Sequence, residues 1–150
     1  MAIGLPIVSD PLQVTHHRNI AASRQIFVPT ISTAILSIHN NSIFMIATDA
    51  LIMTLPLASA IDPGFIITFV HAMAAGGALL TIQTVTPDAI WGTIVNDAGS
   101  GAVFTSNGTS VNNIKLTKAT SKVGNGVTLV SSGGTDWYIV PGSGSGIWTN

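Results

Sequence analysis

The chain has 150 residues, of which 47% are hydrophobic and only 7% are Asp, Glu, Lys or Arg. Average soluble domains carry about 25% charged residues, so we expect much of the uncharged surface of this chain to face other protein chains. The formal net charge of −1 argues against general binding to nucleic-acid phosphates, and the absence of cysteine excludes disulfides and thiolate metal sites.

Residues 1–30 differ in composition from the rest of the chain. They contain Pro6, Pro11 and Pro29 together with both arginines of the sequence, Arg18 and Arg24. Proline fixes its own φ angle and restricts the residue before it to extended conformations. We therefore predict an extended N-terminal arm over residues 1–30 that lies along a partner.

Short apolar or alternating segments, separated by Gly, Asn and Asp, follow from residue 31 onward. These three residue types tolerate positive φ angles and so mark hairpins and loops. Strands that recur about every 8–12 residues are typical of a sandwich or a barrel. We predict an all-β fold, a jelly-roll-like β-sandwich over residues 31–150 with a Gly/Ser-rich C-terminal tail. The predicted strands are 31–38, 43–47, 51–55, 65–71, 78–85, 89–94, 101–105, 111–117, 126–131 and 136–140.

Two of these strands carry more specific expectations. Strand 65–71 is apolar on both faces, which predicts a position in the centre of a sheet or at a contact between subunits. For the subunit contact we predict Phe65, Ile67 and Phe69. In strand 136–140 we expect Trp137 to anchor the core while its indole N–H bonds to a carbonyl. We also expect Trp148, which follows the Gly/Ser run, to dock against the body of the protein.

Candidate catalytic and metal-binding residues are few. Asp49 lies in apolar surroundings, where a buried carboxylate that accepts hydrogen bonds from turn amides is a simpler interpretation than an acid catalyst. No nucleophile stands in the strand-to-helix context that catalysis requires. We therefore predict no enzyme activity and no cofactor. The histidines have neither an i, i+4 partner nor a nearby acidic cluster, so we predict no metal site at His16, His17, His39 or His71.

Residues 43–61 and 65–82 are apolar enough to be compared with membrane spans. Asp49 and Pro56 interrupt the first, and Gly76 with Gly77 divides the second into two short halves. The N-terminal residues lack the basic and apolar regions of a secretory signal. We therefore predict no membrane partner.

Five short signatures occur in order between Ser42 and Trp148. They are Asp49 with the strand that ends TLPLASA (54–60), then GFIITF (64–69), LTI (80–82), DAIWGTI (88–94) and VTLVSSGGTDWYIV (127–140). Together they resemble a domain of tailed-bacteriophage virion proteins, which occurs in capsid decoration (cement) proteins and in head or tail fibres. The similarity extends over almost the whole chain after the arm, whereas fibres usually embed the domain in longer chains. This difference in length favours a capsid decoration protein over a fibre protein.

The resemblance implies a structural virion protein on the capsid exterior. Such a protein binds the major capsid protein and cements neighbouring subunits, and a trimer would fit local threefold positions. The alternative is a carbohydrate- or receptor-binding module of a fibre or spike, with Trp91, Tyr138 and Trp148 as aromatic platforms. Nucleic acid is a partner in neither case. In the decoration protein the arm would contact the shell through Leu5, Ile7, Leu12, His16, His17, Arg18, Ile20 and Arg24.

Overall fold

The structure is a computed structural model that describes residues 24–73, 79–95, 103–105, 112–116, 122–146 and 148–149. These residues form thirteen strands and two short 3-10 helices, Ser37–His39 and Ala58–Ala60. The strands are β1 (Ile26–Phe27), β2 (Thr33–Ala34), β3 (Ser42–Ile46), β4 (Leu51–Thr54), β5 (Ile66–His71), β6 (Leu80–Gln83), β7 (Ala89–Trp91), β8 (Thr93–Val95), β9 (Val103–Thr105), β10 (Asn113–Leu116), β11 (Gly126–Ser131), β12 (Asp136–Ile139) and β13 (Trp148–Thr149).

In the described part of the chain the strands pair into two larger sheets and one small one. The first sheet has six strands in the order β1-β3-β5-β11-β12-β7, and the second has five in the order β13-β10-β6-β4-β2. Strands β8 and β9 form a separate antiparallel pair. The prediction of an all-β fold is confirmed.

The first six strands alternate between the two larger sheets. Strands β1, β3 and β5 lie side by side and parallel in the first sheet, and β2, β4 and β6 do the same in the second. The chain therefore winds as a coil, because it visits the opposite sheet before it returns beside its own previous strand. Jelly rolls are antiparallel, so this pairing departs from the jelly-roll-like order that we expected. Alternating hydrophobicity predicts which face of a strand is buried but not which strand lies beside it.

Side chains from both larger sheets form one hydrophobic core. Phe44 and Phe69 come from the first sheet, and Met53, Ile82 and Ile114 come from the second. Trp137 lies in this core with no exposed surface, and its indole N–H donates to the carbonyl of Pro56 at 3.3 Å. Trp137 packs edge to face against Phe65, with the ring centroids 5.9 Å apart. The core thus satisfies the one polar atom of its largest side chain.

The expectation of a subunit contact at Phe65, Ile67 and Phe69 requires a correction. All three side chains are at most 2% exposed and fill the core of the chain itself. Both faces of strand 65–71 are apolar, so a repeat of two residues could not tell the inner face from the outer one. The outward positions of β5 are Ile66, Thr68 and Val70, which are half-buried.

The first strand of the β-sheet body begins before the predicted end of the arm. β1 lies within residues 1–30 but pairs with β3, and Phe27 stacks on Phe44 at a centroid distance of 5.0 Å. This contact explains why the segment joins the sheet. The predicted arm residues Leu5, Ile7, Leu12, His16, His17, Arg18 and Ile20 lie outside the described residues.

The C-terminal tail docks against the body through Trp148, as we expected. β13 pairs with β10, and the Trp148 ring is buried while its indole N–H donates to the carbonyl of Ser145 at 2.9 Å. Gly146 turns the chain into this strand with a φ of 105°. A Cβ atom there would lie 2.9 Å from the Leu116 side chain and 3.0 Å from that of Asn125. Only glycine suits both the angle and the space.

Candidate interaction surfaces

The side of the first sheet that points away from the core forms a continuous face. Strand registers join its residues in rows, one of which runs from Ile43 through Thr68 to Thr128. A second row runs from Ile66 through Val130 and Tyr138 to Trp91. We call this surface the outer face; it consists of Ile26, Ile43, Met45, Ile66, Thr68, Val70, Trp91, Thr128, Val130, Asp136 and Tyr138.

The outer face is almost free of charge. Among its described residues the single acidic or basic group is Asp136, whose Oδ1 accepts a hydrogen bond from the indole N–H of Trp91 at 2.6 Å. The two threonines satisfy each other, because Thr68 Oγ1 and Thr128 Oγ1 lie 3.0 Å apart. What the face presents outward is therefore mainly aliphatic and aromatic surface. Surfaces of this kind mark contacts with other proteins.

The corresponding side of the second sheet has a polar character. Ile52, Thr81 and Lys115 lie in one row across β4, β6 and β10. In the next row the side-chain amide of Gln83 donates to Thr54 Oγ1 at 3.0 Å. The contrast between the two sheets identifies the outer face as the unusual one, since a solvent-facing side of a sheet is normally polar.

A second apolar surface lies where β1 and the first 3-10 helix meet. It contains a groove of about 200 Å³ lined by Phe27, Val28, Pro29, Thr33, His39 and Phe44. In the same segment of the chain, four large apolar side chains are 56–72% exposed, namely Val28, which lines the groove, and Ile31, Leu36 and Ile38. We call the groove and these four residues the end surface. It is unusual for four large apolar side chains within eleven residues to be so strongly exposed.

His39 forms the floor of the groove with two phenylalanines. Its ring centroid lies 4.8 Å from that of Phe27 and 5.3 Å from that of Phe44. The backbone N–H of Leu36 donates to His39 Nδ1 at 3.0 Å. Burial lowers the pKa of His39 from its ordinary value of 6.5. The ring is therefore neutral at pH 7, with Nδ1 unprotonated. No acidic or basic residue other than His39 occurs from Gln25 to Thr48, so the segment around the groove is uncharged.

Of the predicted arm residues, the described part of the chain contains Arg24. It is exposed, and its Nε donates to Asn41 Oδ1 at 3.3 Å. Arg24 lies two residues before β1, the strand that borders the end surface. The cation is available to a partner because a neutral amide does not compensate its charge.

The aromatic platforms of the alternative function separate in the structure. Trp91 and Tyr138 lie opposite each other in the β7–β12 pair on the outer face. Tyr138 is 44% exposed and Trp91 is half-buried. Trp148 is in the core and is not a platform. Two of the three aromatic rings thus remain for that function.

Several polar side chains have structural roles in the contacts that the structure describes. Asp49 Oδ1 accepts hydrogen bonds from the backbone N–H groups of Ala50 and Leu79, as expected for a turn carboxylate, but the residue is half-buried and not buried as we expected. Asp88, which the sequence did not single out, accepts from the backbone N–H of Ala58, thirty residues away. His71 donates from Nδ1 to the carbonyl of Lys122 at 2.7 Å. No signal in the sequence reveals long-range partners of this kind.

Among the described residues, no group of three or more His, Asp or other ligand side chains is placed to hold a metal ion. Within the same residues there is also no helix with the length and hydropathy of a membrane span. No protein-family model matches the chain, and no curated protein gives a significant match. The two apolar surfaces are therefore the features from which function is inferred.

Proposed function

We propose that this chain is a structural virion protein that binds the outer surface of a capsid and cements neighbouring major capsid subunits, as a trimer at local threefold positions. The observation that carries the proposal is the end surface. Four strongly exposed apolar side chains lie in the segment that forms an apolar groove, and the single ionisable side chain of that segment is a half-buried, neutral histidine. Exposed apolar surface of this kind marks sites where a protein contacts a partner.

The position of the end surface relative to the arm supports a role at a shell. The predicted arm residues precede Arg24 in the chain, and Arg24 lies two residues before β1, which borders the end surface. A partner that covers the groove would also lie within reach of the arm. In this proposal the apolar arm side chains fill shell grooves, and the arm's cations pair with shell carboxylates. A cement protein stabilises a shell by adding buried area across the joint between two subunits, at about 25 cal/mol per Å² of apolar surface.

The test is binding to capsids assembled from the major capsid protein of the phage to which this proposal assigns the chain. We expect the unmodified protein to co-sediment with these capsids and the double variant Ile31→Lys, Ile38→Lys to lose at least ten-fold in affinity. Both side chains point into solvent, so the variant should unfold at the same denaturant concentration as the unmodified protein. Ile52→Lys, an exposed apolar residue on the second sheet, is the matched control and should bind normally. Equal binding by all three proteins would remove the end surface from the account.

A carbohydrate- or receptor-binding module is the second candidate, and one observation favours it. Trp91 and Tyr138 lie side by side, with the Asp136 carboxylate held beside them by the Trp91 indole. Aromatic faces next to a carboxylate can stack on a sugar ring and accept bonds from its hydroxyls. A glycan array distinguishes the candidates: binding that Trp91→Ala abolishes supports the module, and an array without signal supports the capsid protein.

A further inference from the structure

We infer that His39 and the first 3-10 helix form a proton-operated switch in the end surface: protonation of the ring breaks the hydrogen bond that holds Leu36, opens the groove and releases the partner bound there. The inference deepens the proposed function, because it names how binding at the end surface is regulated, and it rests on that function for the identity of the partner. The opening of the groove can be tested without the partner.

Two reciprocal hydrogen bonds close the turn between Leu36 and His39. The backbone N–H of Leu36 donates to His39 Nδ1 at 3.0 Å, and the backbone N–H of His39 donates to the carbonyl of Leu36 at 2.9 Å. The same ring packs in T-shaped geometry against Phe27 of β1 and Phe44 of β3. One side chain therefore joins the turn to two strands of the first sheet.

This arrangement requires a neutral ring. Nδ1 accepts the N–H of Leu36 only while it carries no proton, and a protonated Nδ1 would be a second donor that faces the first. An imidazolium beside two phenylalanine rings would also lose part of its hydration. Burial lowers the pKa of His39 from its ordinary value of 6.5, so the ring takes up its proton below that pH.

The described surroundings of the ring offer no anion to compensate the proton. The side chains that line the groove with His39 are Phe27, Val28, Pro29, Thr33 and Phe44. None of them is ionisable. A described charged side chain that bonds near this turn is Arg24, which donates to Asn41, and its positive charge opposes a second cation. We therefore expect the protonated ring to leave the groove for solvent.

The switch is local, because both ends of the turn are anchored independently of the His39 ring. On one side Ile35 is buried, and its N–H donates to the carbonyl of Thr54 at 2.8 Å. On the other side Asn40 Oδ1 accepts the N–H of Ile66 at 3.0 Å. Loss of the ring contacts therefore frees the turn while the two larger sheets stay paired.

Opening of the turn changes the surface that a partner would contact. Leu36 and Ile38, two of the four strongly exposed apolar side chains, belong to the turn or directly precede it. Their displacement, together with loss of the ring from the groove floor, removes the shape that fits a partner at neutral pH. A partner that binds the neutral form more tightly must be released as the protonated form becomes populated.

The first test uses the isolated protein. Nuclear magnetic resonance between pH 7.5 and 5 follows the protonation of His39 and the hydrogen-exchange protection factors of backbone amides. We expect the Leu36 amide to lose its protection in step with protonation of His39. The Ile35 amide, which is bonded to Thr54, is the internal control and should stay protected. A Leu36 amide that stays protected while His39 becomes protonated overturns the inference.

The second test is co-sedimentation with capsids at pH 7.5 and at pH 5, reported as the ratio of the two affinities. We expect about ten-fold weaker binding at pH 5, since release that takes up one proton changes affinity by at most ten-fold per pH unit. His39→Asn retains an acceptor for the Leu36 N–H and has no ring to protonate, so its ratio should be close to one. Protection of its Ile35 amide verifies folding.

The matched control removes the two histidines that the proposed function assigns to the shell contact. The double variant His16→Asn, His17→Asn keeps His39, so we expect it to retain the pH dependence of the unmodified protein. The inference is overturned if His39→Asn keeps that dependence or if the double variant loses it.

The outcomes also separate this inference from the proposed function. Capsid binding of equal affinity at both pH values would overturn the inference and leave the capsid function standing. Absence of capsid binding at both pH values, with opening of the turn linked to His39 in the isolated protein, would contradict the capsid function and support the switch.

Discussion

Trp137 and His39 show how single side chains define the core and the end surface. Trp137 is the largest fully buried side chain in the core, and its indole nitrogen bonds to the carbonyl of Pro56. His39 lies between two phenylalanine rings and accepts a backbone hydrogen bond at Nδ1. We expect Trp137 to contribute to stability independently of pH and His39 to make stability depend on pH.

We expect Trp137→Ala to lower the free energy of unfolding by about 3–5 kcal/mol, because it removes a buried ring and leaves a cavity. Urea unfolding followed by circular dichroism measures the change. Tyr138→Ala is the neighbouring control, and we expect it to cost less than about 1 kcal/mol because its side chain is exposed. A loss below about 1 kcal/mol for Trp137→Ala would contradict the burial of the ring.

Stability should also fall as the pH is lowered below 6.5. Burial lowers the pKa of His39 in the folded chain, so the unfolded chain binds more protons at this site than the folded chain does. The contribution is complete above the ordinary pKa of 6.5 and is lost as the pH falls through the folded value. We expect His39→Asn, whose amide oxygen can replace Nδ1 as the acceptor, to show a smaller loss between pH 7.5 and 5. Identical pH profiles for the two proteins would exclude His39 as the cause.

At the scale of strands, the sequence predicted much of what the structure contains. Each described strand from β2 to β12 overlaps a predicted strand, because turn residues punctuate the chain and the apolar positions alternate. The sequence does not distinguish the inner face of strand 65–71 from its outer face, since both are apolar. It predicts β1 as part of the arm, because a two-residue strand has no periodicity of its own. What joins it to the sheet is the stacking of Phe27 on Phe44, a contact across seventeen positions of sequence.

The role of β1 predicts different results for two N-terminal deletions. A chain that begins at Arg24 keeps β1 and should unfold at the same urea concentration as the full-length protein. A chain that begins at Ile31 loses the Phe27–Phe44 contact and should be less stable by about 2 kcal/mol. Equal stability of the two shortened chains would show that β1 contributes nothing to the fold.

Gly146 provides a test of how the C-terminal strand docks. Gly146→Ala places a Cβ against Leu116 and Asn125 in a backbone conformation with positive φ. We expect a loss of about 1–3 kcal/mol in unfolding free energy. Gly142→Ala, which has positive φ but open space, separates the two effects and should cost less. If both variants lose the same amount, steric contact at position 146 has no role.

At the scale of the whole molecule, composition predicted a chain whose surface is covered by other chains, but not where that cover lies. The structure groups many of the exposed and half-buried apolar side chains on two surfaces, the outer face and the end surface. The location could not be read from the sequence, because it depends on the coil-like winding that brings β1, β3 and β5 side by side. The two proposed interaction surfaces therefore follow from topology, while the expectation that the chain binds other chains follows from composition.

The most direct test of the account is electron cryomicroscopy of the capsids described above after saturation with the full-length protein. We predict three-lobed density at local threefold positions, with the end surface against the shell. Capsids that carry no added density at saturating protein concentrations would contradict the central claim.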